Sequence, residues 1–235
     1  MQGKIAHSNP KSVYHIYSDF CLEDYDNYPL IRSNNAPGGA FHSQFFHICI
    51  LAGNIGHPKN KNYWDFLKHC SLVYDTTLIV LGTFECKGST LAYTTDFVRE
   101  ETQKKFKNVF LIHNEGIKLR DGMIVVGTPG WSKDMVHNQI QGYTINVARS
   151  QERVAKSVIK EGLNQYKDKG IIIITSSPPC FSEKELKDFP RTFWIHGENG
   201  CNGVKTINRV QLISNQNLFF GSEHRSFNPN FVFSM

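Results

Sequence analysis

The sequence predicts an α/β protein with a buried sheet covered by helices. The first observation behind this is alternation: short apolar runs are followed by longer stretches whose apolar residues recur at helical spacing. The second is size, since 235 residues with 40% hydrophobic and 20% charged side chains can bury a sizeable core without a disulfide or a metal. The third is an exclusion. Aliphatic runs such as Ile171 to Ile174 stay far short of the ~20 apolar residues of a membrane span.

Taken in order, Val13 to Tyr17 and Phe45 to Leu51 read as strands, and Asn34 to Gly39 between them reads as a loop inside the domain because it carries Pro and two Gly. Tyr63 to Val73 reads as a helix, Thr77 to Leu81 as a strand, Thr90 to Phe106 as a helix and Val109 to Ile112 as a strand. A hairpin follows, from Ile117 to Leu119 and from Met123 to Gly127. Its turn is Asp121-Gly122, since Asp-Gly supplies the positive φ that a tight two-residue connection demands. Asn146 to Tyr166 carries an apolar stripe of Val147, Val154, Val158 and Leu163, with Glu152, Arg153, Lys156 and Lys160 outside it. Ile171 to Thr175, Phe193 to His196, Val210 to Ser214 and Phe231 to Phe233 complete the strands. No repeat, low-complexity tract or linker divides the chain, so residues 1–235 read as a single domain.

Charge and cysteine usage narrow the function classes. The formal net charge of +5 is a mild excess, and its only local cluster, Lys104, Lys105 and Lys107, reads as a solvated helix face. That pattern leaves nucleic acid open without indicating it. The six cysteines show neither a CxxC pair nor zinc-like spacing, so reduced thiols are expected. The first residues lack a hydrophobic signal core and the Arg-rich character of a transit peptide, which places the chain inside the cell and by default in the cytoplasm, away from membranes.

Ligands of α/β sheets gather at the carboxyl ends of strands, and the strand ends here are unusual. The first stops in Ser18-Asp19-Phe20-Cys21-Leu22-Glu23, the second in Leu51-Ala52-Gly53-Asn54-Ile55-Gly56 and the third in Leu81-Gly82-Thr83-Phe84-Glu85. Later come Thr175-Ser176-Ser177-Pro178-Pro179 and Trp194-Ile195-His196-Gly197-Glu198-Asn199-Gly200. In order and spacing these blocks resemble the SDLHLE, LAGDIG, GNHE, THHxP and WxxGHTH signatures of the calcineurin-like metallophosphoesterases. Val210 to Gly221 and Phe227 to Phe233 resemble the tail of its small bacterial and viral members, so the resemblance spans Val13 to Phe233.

The resemblance implies a four-layer α/β/β/α sandwich, two mixed sheets flanked by helices. In active relatives two divalent metals clamp the phosphate and acidify a bridging water. Carried over block by block, the first-metal positions are Asp19, Cys21 in place of His and Gly200 in place of His. The bridging Asp is Asn54, and the second-metal positions are Thr83 in place of Asn, Ser176 in place of His and Glu198 in place of His. Phe84 stands where relatives keep the His that assists the leaving group. Only Asp19 retains the family residue, while the turn and packing residues Gly53, Gly56, Gly82, Pro178, Pro179, Trp194 and Gly197 remain.

The expectation is therefore a catalytically inactive homologue, with no catalytic residue, no metal and no cofactor. It serves as a scaffold or subunit with a protein partner, as this fold does in the retromer subunit and in small subunits of replicative DNA polymerases. The rival is a metal-dependent phosphoesterase of altered metal content, acting on a phosphomonoester, a phosphodiester or a nucleotide. In it Asp19, Cys21, Asn54 and Glu198 converge on one divalent ion such as Zn, Mn or Fe. His57, Ser177 and His196 lie near the same strand ends and are the further pocket residues. Without a metal, Asp19 and Glu198 need hydrogen-bond donors, and Asn54, Thr83, Ser176 and Ser177 are expected to supply them.

Overall fold

The alternation of side chains along each strand decides the architecture. In the second strand Cys49 and Leu51 point one way and Ile48, Ile50 and Ala52 the other, and all five are buried. A strand buried on both faces has to lie inside a layered structure. The computed structural model describes residues 11–24, 45–131, 138–166, 170–198, 201–217, 227–228 and 231–234. Its strands are β1 (Lys11–Tyr17), β2 (Phe45–Ala52), β3 (Thr76–Val80), β4 (Val109–Leu111), β5 (Glu115–Lys118), β6 (Ile124–Gly127), β7 (Ile171–Ile174), β8 (Thr192–Ile195), β9 (Gly203–Ile207), β10 (Val210–Ser214) and β11 (Val232–Ser234). Its helices are α1 (Lys61–Val73), α2 (Leu91–Lys105) and α3 (Ile145–Gln165).

The strands form two sheets, in the orders β11-β1-β2-β3-β4 and β5-β6-β7-β8-β10-β9. Within each the central strands are parallel, and β11, β5 and β9 pair antiparallel at edges. Between the sheets lies a core of Ile16, Ile48, Ile50, Leu78 and Val80 from the first and Val125, Ile172, Ile174, Ile195 and Ile213 from the second. The opposite face of the first sheet packs Cys49, Leu51 and Ile79 on Phe66, Leu67 and Cys70 of α1 and Val98 of α2. The opposite face of the second packs Ile171, Ile173 and Trp194 on Ile159 and Leu163 of α3. Helix, sheet, sheet and helix make four layers, as expected from the sequence.

Side-chain caps set the helix starts. Asn60 Oδ1 accepts from Asn62 N–H, Thr90 Oγ from Tyr93 N–H and Thr144 Oγ from Val147 N–H. The α3 stripe differs from the expected one: the buried residues are Ala148, Ala155, Ile159, Gly162 and Leu163, while Val154 is 37% exposed. Small residues let the helix approach the sheet closely. A Cβ on Gly162 would stand 2.6 Å from Val126 Cγ2.

The hairpin also departs from the two-residue turn. Gly122 N–H bonds Leu119 O and Leu119 N–H bonds Met123 O, so Arg120, Asp121 and Gly122 form a three-residue connection with Gly122 at φ +89°. Strand β9 was not foreseen. Its residues are mostly exposed, and its signal is the turn at Asn208, φ +56°, that closes it onto β10. The 34–39 loop lies outside the described residues. None of the six cysteines forms a disulfide, and no described helix is long and apolar enough to cross a membrane.

The layering sets a contrast. Ile172→Ala, between the sheets, should cost about 3 kcal/mol, whereas Val154→Ala on α3 should stay within about 0.5 kcal/mol. Urea unfolding at neutral pH measures both, and equal costs would contradict the burial pattern.

Candidate functional site

The carboxyl ends of β1, β2 and β3 in one sheet meet those of β7 and β8 in the other. Backbone bonds extend the pairing past the strand ends, from Asp19 N–H to Gly53 O at 3.0 Å, Cys21 N–H to Asn54 O at 3.0 Å and Gly197 N–H to Ser176 O at 3.2 Å, while Ser18 N–H to Asn215 O at 3.3 Å and Asn217 N–H to Ser18 O at 3.0 Å join the first sheet to the second. Glycine stands where the strand ends come closest. Gly53 has φ +82°, and a Cβ there would stand 2.3 Å from Ser176 Cβ. A Cβ on Gly82 would stand 2.2 Å from Asn54 Oδ1.

Four residues that close these strand ends adopt left-handed backbone without being glycine: Asp19 (φ +57°), Cys21 (+49°), Asn54 (+55°) and Glu198 (+54°). Each costs roughly 1–2 kcal/mol, so the surrounding bonds must hold it there. The result is a shared point for three side chains. Asn54 Nδ2 donates to Asp19 Oδ1 and to Glu198 Oε1, both at 2.9 Å. Phe84 N–H donates to Asn54 Oδ1 at 3.1 Å, and because a backbone amide can only donate, this bond fixes which way the Asn54 amide points.

The remaining lone pairs are filled in the same way. Glu198 Oε1 also accepts from Thr83 Oγ at 3.0 Å, Glu198 Oε2 from Ser177 Oγ at 2.5 Å, and Asp19 Oδ2 from Glu198 N–H at 3.2 Å. Asp19 is only 1% exposed. Burial pushes its carboxyl up to about 6, the bonds from Asn54 and the backbone pull it down, and the neighbouring Glu198 charge adds to the rise.

Asn54, Thr83 and Ser177 thus donate to the carboxylates as expected, but Ser176 does not. Its hydroxyl donates to Pro129 O at 3.0 Å and accepts from Trp131 Nε1 at 2.9 Å. His57 is likewise engaged elsewhere. Its Nδ1 accepts from Lys59 N–H, which leaves the proton on Nε2 to donate to Lys87 O at 2.8 Å. His196 is buried, bonds Gly197 O through Nδ1, and is held below its ordinary pKa by desolvation. Phe84 is half-buried and contributes its backbone N–H, and Gly200 lies outside the described residues.

Two elements of the site were missed in the sequence. Glu85 is buried, and its carboxylate accepts Ile55 N–H at 2.7 Å, Gly82 N–H at 2.9 Å and Asn54 N–H at 3.0 Å, tying the second strand end to the third. Burial raises this carboxyl to about 7 against the pull of those donors. Trp131 is the other; its signal was Thr128-Pro129-Gly130 at the end of an apolar run, the same punctuation as at the other strand ends.

As arranged, these groups do not fit a divalent cation. An asparagine ligates through its oxygen, yet Asn54 Oδ1 is engaged by Phe84 and the amide hydrogens face both carboxylates. No three His, Cys, Asp or Glu side chains are grouped for a metal among the described residues.

Known proteins resemble this chain chiefly in fold. Phosphopantetheinyl hydrolase from Mycobacterium tuberculosis superposes with a TM-score of 0.63 at 9% identity, over 97% of this chain and 96% of its own. The fold is phosphoesterase-like. A candidate 5'-nucleotidase from Staphylococcus aureus, solved with alpha-ketoglutarate, superposes with a TM-score of 0.51 at 13% identity, over 87% of this chain and 48% of its own, so this chain spans about half of that protein. In sequence, the uncharacterized protein L509 of Acanthamoeba polyphaga mimivirus is 23% identical, over 80% of this chain and 83% of its own. No family model matches.

Two outcomes follow from the network. Glu85→Gln turns an NH₂ group toward backbone donors and should cost ~2–4 kcal/mol in urea unfolding; a neutral result would mean that Glu85 does not tie the loops. Asp19 has a folded pKa above its unfolded one, so its contribution is full below about pH 4 and is lost as pH rises through about 6. Asp19→Asn should therefore gain on the wild type by on the order of 1–3 kcal/mol between pH 4 and pH 7.5. A gap that is flat or widens the other way would contradict the buried, raised carboxyl.

Proposed function

We propose that this chain is a phosphoesterase homologue that has given up hydrolysis and serves as a scaffold or subunit for a partner protein. The observation that supports this reading most is the Asn54 amide. Its two N–H groups lie between Asp19 and Glu198, where hydrolytic relatives need a carboxylate shared by two dications. An amide there neutralises nothing, but it satisfies both carboxylates as neighbours, so the pocket needs no ion to be stable. Thr83 and Ser177 complete the set with neutral hydroxyls, and Phe84 sets an apolar ring where a proton shuttle is needed.

The backbone supports the same reading. The left-handed turns at Asp19, Asn54 and Glu198 still aim their side chains at one point, so the geometry of a site persists while its donors have been exchanged. Retention of a costly backbone without the chemistry fits a chain kept for its shape and its surface. In this reading the pocket takes no Mn, Fe or Zn, and the polar network is structural.

Elemental analysis of protein purified without chelator should find well under one equivalent of Mn, Fe or Zn per chain. With added Mn²⁺, p-nitrophenyl phosphate and its bis ester should not be hydrolysed above background. Two tightly held metals, or turnover that Asp19→Ala abolishes, would replace this reading with that of an active phosphoesterase.

A further inference from the structure

We propose that the cleft between the open edges of β4 and β5 is the docking site for an extended acidic segment of a partner protein, which adds to the sheet as a strand. The inference names the surface for the scaffold reading and rests on that reading only in taking the ligand to be a protein. Among the described residues β4 pairs with β3 alone and β5 with β6 alone, and each ends its sheet. Residues 112–114 join them, a link of at most about 14 Å, so the two unpaired edges lie side by side. They flank a cleft of about 840 Å³.

The cleft is apolar at its base and positive at its rim. Leu111, Ile112 and Leu119 line it as buried residues, while Phe110 is 47% exposed beside them, an unusual side chain to leave bare on an edge strand. Its charged lining residues are Arg99, Lys107, Lys118 and Arg120 against Asp75 and Glu115. The acids are already engaged: Glu115 pairs with Arg99 at 3.0 Å, and Asp75 accepts the His47 N–H at 2.8 Å. Among the described residues no carboxylate pairs with Lys107, Lys118 or Arg120, and the Arg120 guanidinium lies over the Phe46 ring at 5.3 Å.

Those three cations select the occupant. A second copy of this chain would bring the same positive rim to the cleft and be repelled, which is how lysines on edges normally prevent self-association. An acidic strand is attracted instead. It can satisfy the open backbone groups with its own and place alternate side chains on the apolar base. A nucleic acid would match the charge but leave the strand edges unpaired.

The test is fluorescence anisotropy on the full chain with a labelled peptide of about ten residues alternating glutamate and valine. Controls are the lysine counterpart, the glutamate peptide N-methylated at alternate residues, and a single-stranded oligothymidine. The proposal expects saturable binding of the acidic peptide with a Kd in roughly the micromolar range. Binding should weaken by about tenfold or more with the triple change Lys107→Glu, Lys118→Glu and Arg120→Glu, with N-methylation and at high salt. The changed residues are on the surface, and unchanged urea unfolding of the variant confirms that it folds. No saturable binding up to about 1 mM, equal binding of the lysine peptide, an unaffected N-methylated peptide, or tighter binding of the oligothymidine would overturn it. The metal and turnover assays answer separately: an active phosphoesterase could still bind the peptide, and an inactive one could fail to.

Discussion

Two carboxylates held together, Asp19 buried and Glu198 half-buried, must be given hydrogens or a cation, and in this chain the amide of Asn54 gives them hydrogens. The rest of the site is arranged around that pair of bonds. Phe84 N–H holds the amide in the one orientation that presents its hydrogens to both acids. Glu85 takes the backbone N–H of Asn54 and Gly82, so the residue that carries the amide and the turn that orients it share one buried acceptor. If Asn54 were turned over, its oxygen would face two carboxylates and the network would lose three favourable contacts at once.

The layers explain why such a network can exist at this point of the molecule. Parallel strands in both sheets end in the same direction, and the inter-sheet core brings those ends together from two sides. The site is therefore assembled from backbone that the core already fixes, with glycines where the strand ends come closest. Its side chains can vary without loss of the fold, because the packing residues behind it, Leu51, Ile79, Ile174 and Ile195 among them, make no side-chain bond to Asp19, Asn54 or Glu198. The opposite situation holds at β4 and β5, where, among the described residues, each sheet ends without a further strand and an apolar cleft lies open beside the two edges.

Much of this was readable in the sequence, for reasons particular to each element. Runs such as Ile171 to Ile174 could only be buried strands, and the block order at the strand ends carried the sandwich and the convergence of Asp19, Asn54 and Glu198. Side-chain direction was harder to read. Ser176 sits in the same block as Ser177 yet bonds Pro129 and Trp131, because successive residues at a strand end face opposite sides. The α3 stripe was misplaced onto Val154 because hydrophobicity alone favours valine over Ala148 and Ala155, whereas close packing favours the small residues. Glu85 was passed over because a carboxylate that serves only backbone amides has no partner in the sequence to announce it.

Asn54 satisfies Asp19 and Glu198 through its two amide hydrogens, with no need of a cation between them. Thermal unfolding of Asn54→Asp against wild type, each with EDTA and then with excess Mn²⁺ or Zn²⁺, tests it most directly. EDTA should leave the wild type unchanged. In EDTA the variant should lose on the order of 3 kcal/mol, because it exchanges two N–H donors for a third carboxylate. A wild type that EDTA destabilises, or a variant at least as stable as the wild type under chelation, would contradict it.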